Sequence, residues 1–167
     1  SGTCGNVTSA VSGAIIVTPA TTLSSQSTAT ETDCIGGGLS SISVTAAGTG
    51  LTYQWYSNSV SSTVGGTLLA GATSSSYTPS DAVAGTLYYF CVISGTCGNV
   101  TSAVSGAIII DDITSVSSQS TLTQTVCESG SFTAISVTAV GTGLTYQWYS
   151  NSVASNTGGT LLVGATS

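Results

Sequence analysis

With lysine, arginine and histidine all absent, the side chains of this chain that could do chemistry are five thiols, seven phenols and six carboxylates. The carboxylates are Glu31, Asp33, Asp81, Asp111, Asp112 and Glu128. General acid–base catalysis draws on His, Lys, paired carboxylates or a Tyr beside a base. A serine becomes a nucleophile only next to such a base, and the many serines here have none. No catalytic residue is therefore expected, and an enzyme is not. A zinc site is equally unsupported, because no two cysteines form a C-x-x-C pair and histidine is missing. Asp111-Asp112 is the only adjacent acidic pair, but calcium needs six or more oxygens. The equivalent junction one repeat earlier reads Thr18-Pro19, without acids. No metal and no cofactor are expected, which leaves thiol chemistry in an oxidising compartment.

The spacing of the thiols is informative. Cys4 and Cys97 lie 93 residues apart, and so do Cys34 and Cys127. The interval belongs to the whole chain: residues 1–16 (SGTCGNVTSAVSGAII) recur letter for letter at 94–109, and QWYSNSV at 54–60 returns at 147–153. Solenoid units repeat at about 20–50 residues, so a period of 93 fits one small domain per repeat. Three units are expected: residues 1–17 as the last strand of a preceding repeat, 18–110 as a complete repeat, and 111–167 as the first part of the next. The chain reads as a window on a tandem array, whose task is reach, display or assembly.

Composition narrows the partners. Nucleic-acid affinity comes largely from cations that displace phosphate counterions, and an anionic membrane surface likewise attracts Lys and Arg. A chain with none of either and a net charge of −6 is expected to bind no nucleic acid and no such surface. Charged residues make up 4% of the chain, against about 25% in ordinary soluble domains. Even so, no apolar run approaches the ~20 residues that span a bilayer, and no membrane insertion is expected. Ser and Thr supply the polarity. The absence of Lys and Arg also removes every trypsin-type cleavage site, which reads either as survival outside a cell or as compositional drift. Asn6-Val7-Thr8 and Asn99-Val100-Thr101 fit the N-glycosylation pattern, and O-linked sugar on the abundant Ser/Thr is left open.

Strands must position these groups. Ile42, Val44 and Ala46 alternate with Ser41, Ser43 and Thr45, the period-2 pattern of a half-buried strand. After Gly48-Thr49-Gly50, the residues Leu51, Tyr53 and Trp55 share one face of the next strand. Gly65-Gly66 marks a turn, and Tyr77 precedes Pro79 at the end of a short strand. TLYYFCVI at 86–93 is apolar on both faces, as a central strand is. A single last strand is expected over 99–110. About seven short strands with no helical periodicity give an all-β fold, a β-sandwich. The aromatic set Trp55, Tyr53, Tyr88 and Tyr89 is read as core rather than as a sugar-stacking platform, while Tyr56 and Tyr149 face the other way and are the candidates for exposed contacts.

Trp55 followed by Asp81, Gly85 and Tyr89-Phe90-Cys91 resembles the immunoglobulin fold, in which a buried Trp lies near a cystine and a Tyr two residues before the second Cys caps a corner. The resemblance implies an immunoglobulin-like sandwich with Trp55, Tyr89 and the copy Trp148 as structural core. The run Cys34…GLTYQWYSNS…GGTLLAGATSSSYTP…AGTLYYFCVISGTCG is similar to the immunoglobulin-like repeats of very large cell-surface adhesins of Bacteroidetes, flavobacterial and gliding-motility adhesins among them. That likeness implies an extracellular location at the bacterial surface, tandem arrays, and cell adhesion or filaments. It implies other copies of the same repeat as partners, with surface glycans as partners in a second reading where the loops bind carbohydrate. It also implies a disulfide between Cys34 and Cys97. Cys91 is an alternative partner for either, so Cys34–Cys97, Cys91–Cys97 and Cys34–Cys91 all stay open. Three cysteines per repeat leave one free, inert in the core or bonded to a neighbouring chain. Against the binding-loop reading, Ser61-Ser62-Thr63-Val64 has become Ala154-Ser155-Asn156-Thr157 in the copy, drift that suits a spacer.

Overall fold

A computed structural model describes residues 4–166. It is all β, with no helix among the described residues. The 93-residue unit holds β1 (Thr22–Gln26), β2 (Glu31–Cys34), β3 (Ile42–Ala47), β4 (Thr52–Asn58), β5 (Thr67–Leu68), β6 (Ser76–Tyr77), β7 (Gly85–Gly95), β8 (Gly98–Thr101) and β9 (Ile108–Asp111). They form two facing layers. One is β1-β3-β6; the other is β2-β9-β7-β4-β5, with β8 also on β7.

The alternation in the sequence fixes which faces meet. Ile42 and Val44 point inward from β3, while Ser41, Ser43 and Thr45 stay exposed. Opposite them, Trp55 on β4, Tyr89, Cys91 and Ile93 on β7, and Ile108 and Ile110 on β9 complete one buried cluster. Burying each such large side chain contributes roughly 1.5–3 kcal/mol. Trp55 is 2% exposed; its indole N–H donates to the Ser74 carbonyl at 2.9 Å, and its ring lies 6.2 Å from that of Tyr77. β7 is the central strand expected from its two apolar faces. Its outer-face Phe90 is also buried, under a parallel stack with Tyr56 at 5.1 Å. Tyr56 is thus half-covered, whereas Tyr149 is exposed.

The expected single strand over 99–110 is corrected: it divides into β8 and β9. Val100 is half-buried, Ser102 buried, Val104 half-buried and Ser105 buried, so the inward phase slips by one residue between 104 and 105. Where the ladder slips, the Ser102 and Ser105 N–H groups still donate to the Cys91 and Tyr89 carbonyls at 2.9 and 2.8 Å, and the two serine hydroxyls take over as the acceptors. Ser102 Oγ accepts from the Cys91 N–H at 2.9 Å and donates to the Ala103 carbonyl at 2.8 Å. Ser105 Oγ accepts from the Tyr89 N–H at 3.0 Å and donates to the Gly106 carbonyl at 2.7 Å. Gly106 is required where the returning chain passes Ala29–Thr30, because a Cβ there would overlap the Ala29 carbonyl.

The period reappears as geometry. β10 (Ser115–Gln119) pairs with β11 (Val137–Val140), Ser115 opposite Val140, as Thr22 lies opposite Ala47 in β1–β3. The register slip between Leu23 and Ser25 recurs between Val116 and Ser118. β12 (Tyr149–Ser150) and β13 (Thr160–Leu161) repeat the β4–β5 pairing at the same offset of 93. The copy of β2 at 124–127 carries no strand. Phe132 and Ile135 are 67% and 61% exposed, where their counterparts Leu39 and Ile42 are buried. Trp148 is half-buried. Within residues 1–17, expected as the last strand of a preceding repeat, 6–17 carry no strand, and Val7 and Val11 stand in solvent. Ser1, Gly2 and Thr3 of that segment lie outside the described residues.

Candidate functional site

Strand direction sorts the chemistry-bearing side chains into two poles. β1 begins beside the β3–β4 turn: Thr21 packs against Gly48 and Gly95, and the Thr96 N–H donates to the Thr49 carbonyl at 2.9 Å. Cys97 lies in the β7–β8 turn just beyond, at this N-terminal pole. β2 runs parallel to β9 with Cys34 opposite Asp111, and Gly85 lies opposite Ile110. Cys34 is therefore at the C-terminal pole, where the chain leaves the sandwich.

The Cys34–Cys97 disulfide within one repeat is corrected by this placement. β7, 11 residues long, separates the two poles; at ~3.3 Å per residue that is roughly 30 Å. A disulfide needs Cα atoms within about 7 Å. Cys91 sits at mid-strand opposite Trp55, between the poles, and is no partner for either. All five thiols are free: Cys4, Cys34, Cys97 and Cys127 exposed, Cys91 buried. Burial pushes the Cys91 thiol up, only partly offset by a backbone hydrogen bond from Gln54. That makes Cys91 a packing residue, poor in thiolate. Tyr89, 3% exposed, has its phenol pushed up to about 12, chiefly by burial and then by Tyr77.

The acids serve the backbone at the C-terminal pole. Glu31 accepts from the Ser40 N–H at 2.9 Å, Asp33 from the Cys34 N–H at 2.8 Å, and Asp81 from the Gly38 N–H at 3.0 Å. They pin the turn between β2 and β3. In the second unit Gln124 takes the place of Glu31 and accepts from the Thr133 N–H at 2.7 Å. The position needs an acceptor, not a charge. No group of metal-ligating side chains occurs among the described residues.

The β4–β5 loop is likewise self-contained. Asn58 donates to the carbonyls of Ser62 and Val64 at 3.0 and 2.9 Å. Asn151 does the same to Ser155 and Thr157 at 3.2 and 2.9 Å. Because the acceptors are main-chain, the tip residues can change without moving the loop. An open groove of about 250 Å³ at the C-terminal pole, between Val83, Leu87, Tyr89, Ile108 and Ile110, is largely apolar and has no charged lining. It lacks the convergent polar groups by which a small-molecule site fixes its ligand.

Sequence reasoning placed Trp55 and Tyr89 in the core and missed Ser102, Ser105, Asn58 and the acids' main-chain duties. In a chain full of Ser, only the phase slip between Val100 and Ser105 distinguishes the buried hydroxyls from exposed ones. A search of curated proteins finds no match. A family model described as a domain of unknown function, DUF8696, matches residues 23–110, from within β1 to within β9. The match covers more than half of the 167 residues, and the chain belongs to the DUF8696 family.

Proposed function

We propose that the chain is a structural tandem repeat forming the stalk or filament of an extracellular bacterial surface adhesin, without catalysis. One observation carries this: the chain enters the complete sandwich at one pole and leaves it at the other, and the entering β1–β3 pairing recurs 93 residues later as β10–β11. Successive repeats then add length rather than bulk, which suits a spacer. The three residues 112–114 between β9 and β10 leave little slack. Loops that satisfy their own hydrogen bonds, and tips that drift between copies, support a spacer over a carbohydrate-binding module. The bacterial-surface setting rests on the resemblance to adhesin repeats.

The test is reach. Arrays with different numbers of repeats, displayed on cells and imaged by electron microscopy, should hold a tip label at a height proportional to repeat number. A glycan array probed with the 167-residue chain should give no specific hit. Height independent of repeat number, or one tight sugar ligand, would overturn the proposal.

A further inference from the structure

We infer that Cys34 and Cys97 are the two halves of an end-to-end disulfide, in which the C-terminal pole of one sandwich is joined to the N-terminal pole of another copy. This rests on the spacer reading above and adds a covalent joint to it. Both thiols are exposed, and both recur in the neighbouring units, as Cys127 and Cys4. Within one repeat they are held apart by the length of β7 and cannot meet. The third thiol, Cys91, is sealed in the core. An exposed Cys34 meets an exposed Cys97 where the C-terminal pole of one copy lies against the N-terminal pole of another; end-to-end stacking does this as an open ladder, whereas a side-by-side antiparallel pair would close as a dimer.

Chain path and charge favour that stacking. Cys34 is the strand neighbour of Asp111, the last residue of β9, and β10, the first strand of the next unit, starts at Ser115. In a tandem pair the Cys34 pole thus faces an N-terminal pole across a short connector. Between separate molecules, charge removes one of the competing arrangements. Glu31, Asp33, Asp81, Asp111 and Asp112 all belong to the C-terminal pole, whereas Thr21, Gly48, Thr49, Gly50 and Thr96 make the N-terminal pole neutral. Two C-terminal poles repel each other, so a Cys34–Cys34 bond is disfavoured, while a C-terminal pole meets a neutral one without penalty.

The step is thiol–disulfide exchange with a low-molecular-weight disulfide as oxidant. A Cys34 or Cys97 thiolate attacks one sulfur of the oxidant and displaces its first thiol. The other cysteine's thiolate then attacks the protein sulfur of the mixed disulfide and displaces the second. One S–S bond forms in the protein and one breaks in the oxidant. Two electrons pass to the oxidant, and the two cysteine protons end on the two released small thiols.

The experiment takes the 167-residue chain with Cys4→Ser and Cys127→Ser, equilibrates it with oxidised and reduced glutathione, and reads non-reducing gels and cross-linked peptic peptides by mass. The expected result is a ladder of dimers, trimers and higher species in which the Cys34–Cys97 peptide is the main cross-link. Adding Cys34→Ser or Cys97→Ser should each abolish the ladder, because either change removes one half of the mixed bond from every copy, and Cys97→Ser should leave only monomer. The proposal is overturned by a chain that stays monomeric, by a Cys34–Cys97 bond inside one molecule, or by Cys34–Cys34 and Cys97–Cys97 peptides as abundant as the mixed one. If cross-links fail while reach still scales with repeat number, the joint is lost and the spacer stands.

Discussion

Ser105→Ala should cost far more than an exposed Ser→Ala. Ser105 is 9% exposed, and its Oγ is the acceptor for the N–H of Tyr89, itself 3% exposed. The Ala variant removes that acceptor without opening space for a water, leaving a buried N–H unpaired on the central strand. Such an orphan costs about 1–3 kcal/mol, and in a sandwich of this size each kcal/mol lowers the midpoint by about 4–8 °C. A fall on the order of 10 °C is expected. Ser102→Ala, which orphans the Cys91 N–H, should behave alike. The reference is Ser24→Ala, whose exposed hydroxyl donates to the Thr45 carbonyl at 3.0 Å; its loss should stay within about 0.5 kcal/mol. Thermal melts by circular dichroism, with urea titrations to check that the m-value is unchanged, measure all three. If Ser105→Ala melts within a degree or two of Ser24→Ala, the hydroxyls are not standing in for the ladder and the account of the β8–β9 slip is wrong.

Thiol titration with Ellman's reagent on the reduced native chain should consume Cys4, Cys34, Cys97 and Cys127 rapidly and Cys91 only in denaturant; five fast thiols would contradict the sealed core. Stability should also depend on pH through Tyr89. Its folded-state phenol is raised to about 12 from 10.0, so the unfolded chain loses this proton first as pH rises. The contribution is complete below pH 10 and is lost between about pH 10 and 12. In that window the unfolding free energy of the parent should fall about 1.4 kcal/mol per pH unit more steeply than that of Tyr89→Phe. Parallel curves would remove Tyr89 as the cause.

The layers of the sandwich were legible because burial writes itself as alternation. Ile42/Val44 against Ser41/Ser43, and the doubly apolar 86–93, name the inward faces and the central strand without help. The thiol pairing was not legible. A resemblance supplies which cysteines accompany each other, but whether they meet depends on strand direction, and the parallel course of β2 beside β9 sends Cys34 to the pole opposite Cys97. Nor was the strand break at 102–107, because a serine that replaces a carbonyl in a ladder reads like any other serine. Asn58 was hidden for a related reason: it bonds carbonyls, which every sequence has.

The parallel pairing of β2 with β9 also bears on how the sandwich carries load. Four register pairs, Glu31↔Ile108 to Cys34↔Asp111, are flanked by the Glu31 N–H to Ala107 and Ile35 N–H to Asp111 bonds, both 3.0 Å. In the proposed stalk, tension would draw β9 out through one end and hold β2 back toward the other. The two strands must then slide along each other, and their hydrogen bonds lie across the pull. In the proposed stalk all of them would be strained together instead of parting one at a time from an end, and this short ladder would act as a shear clamp within each repeat.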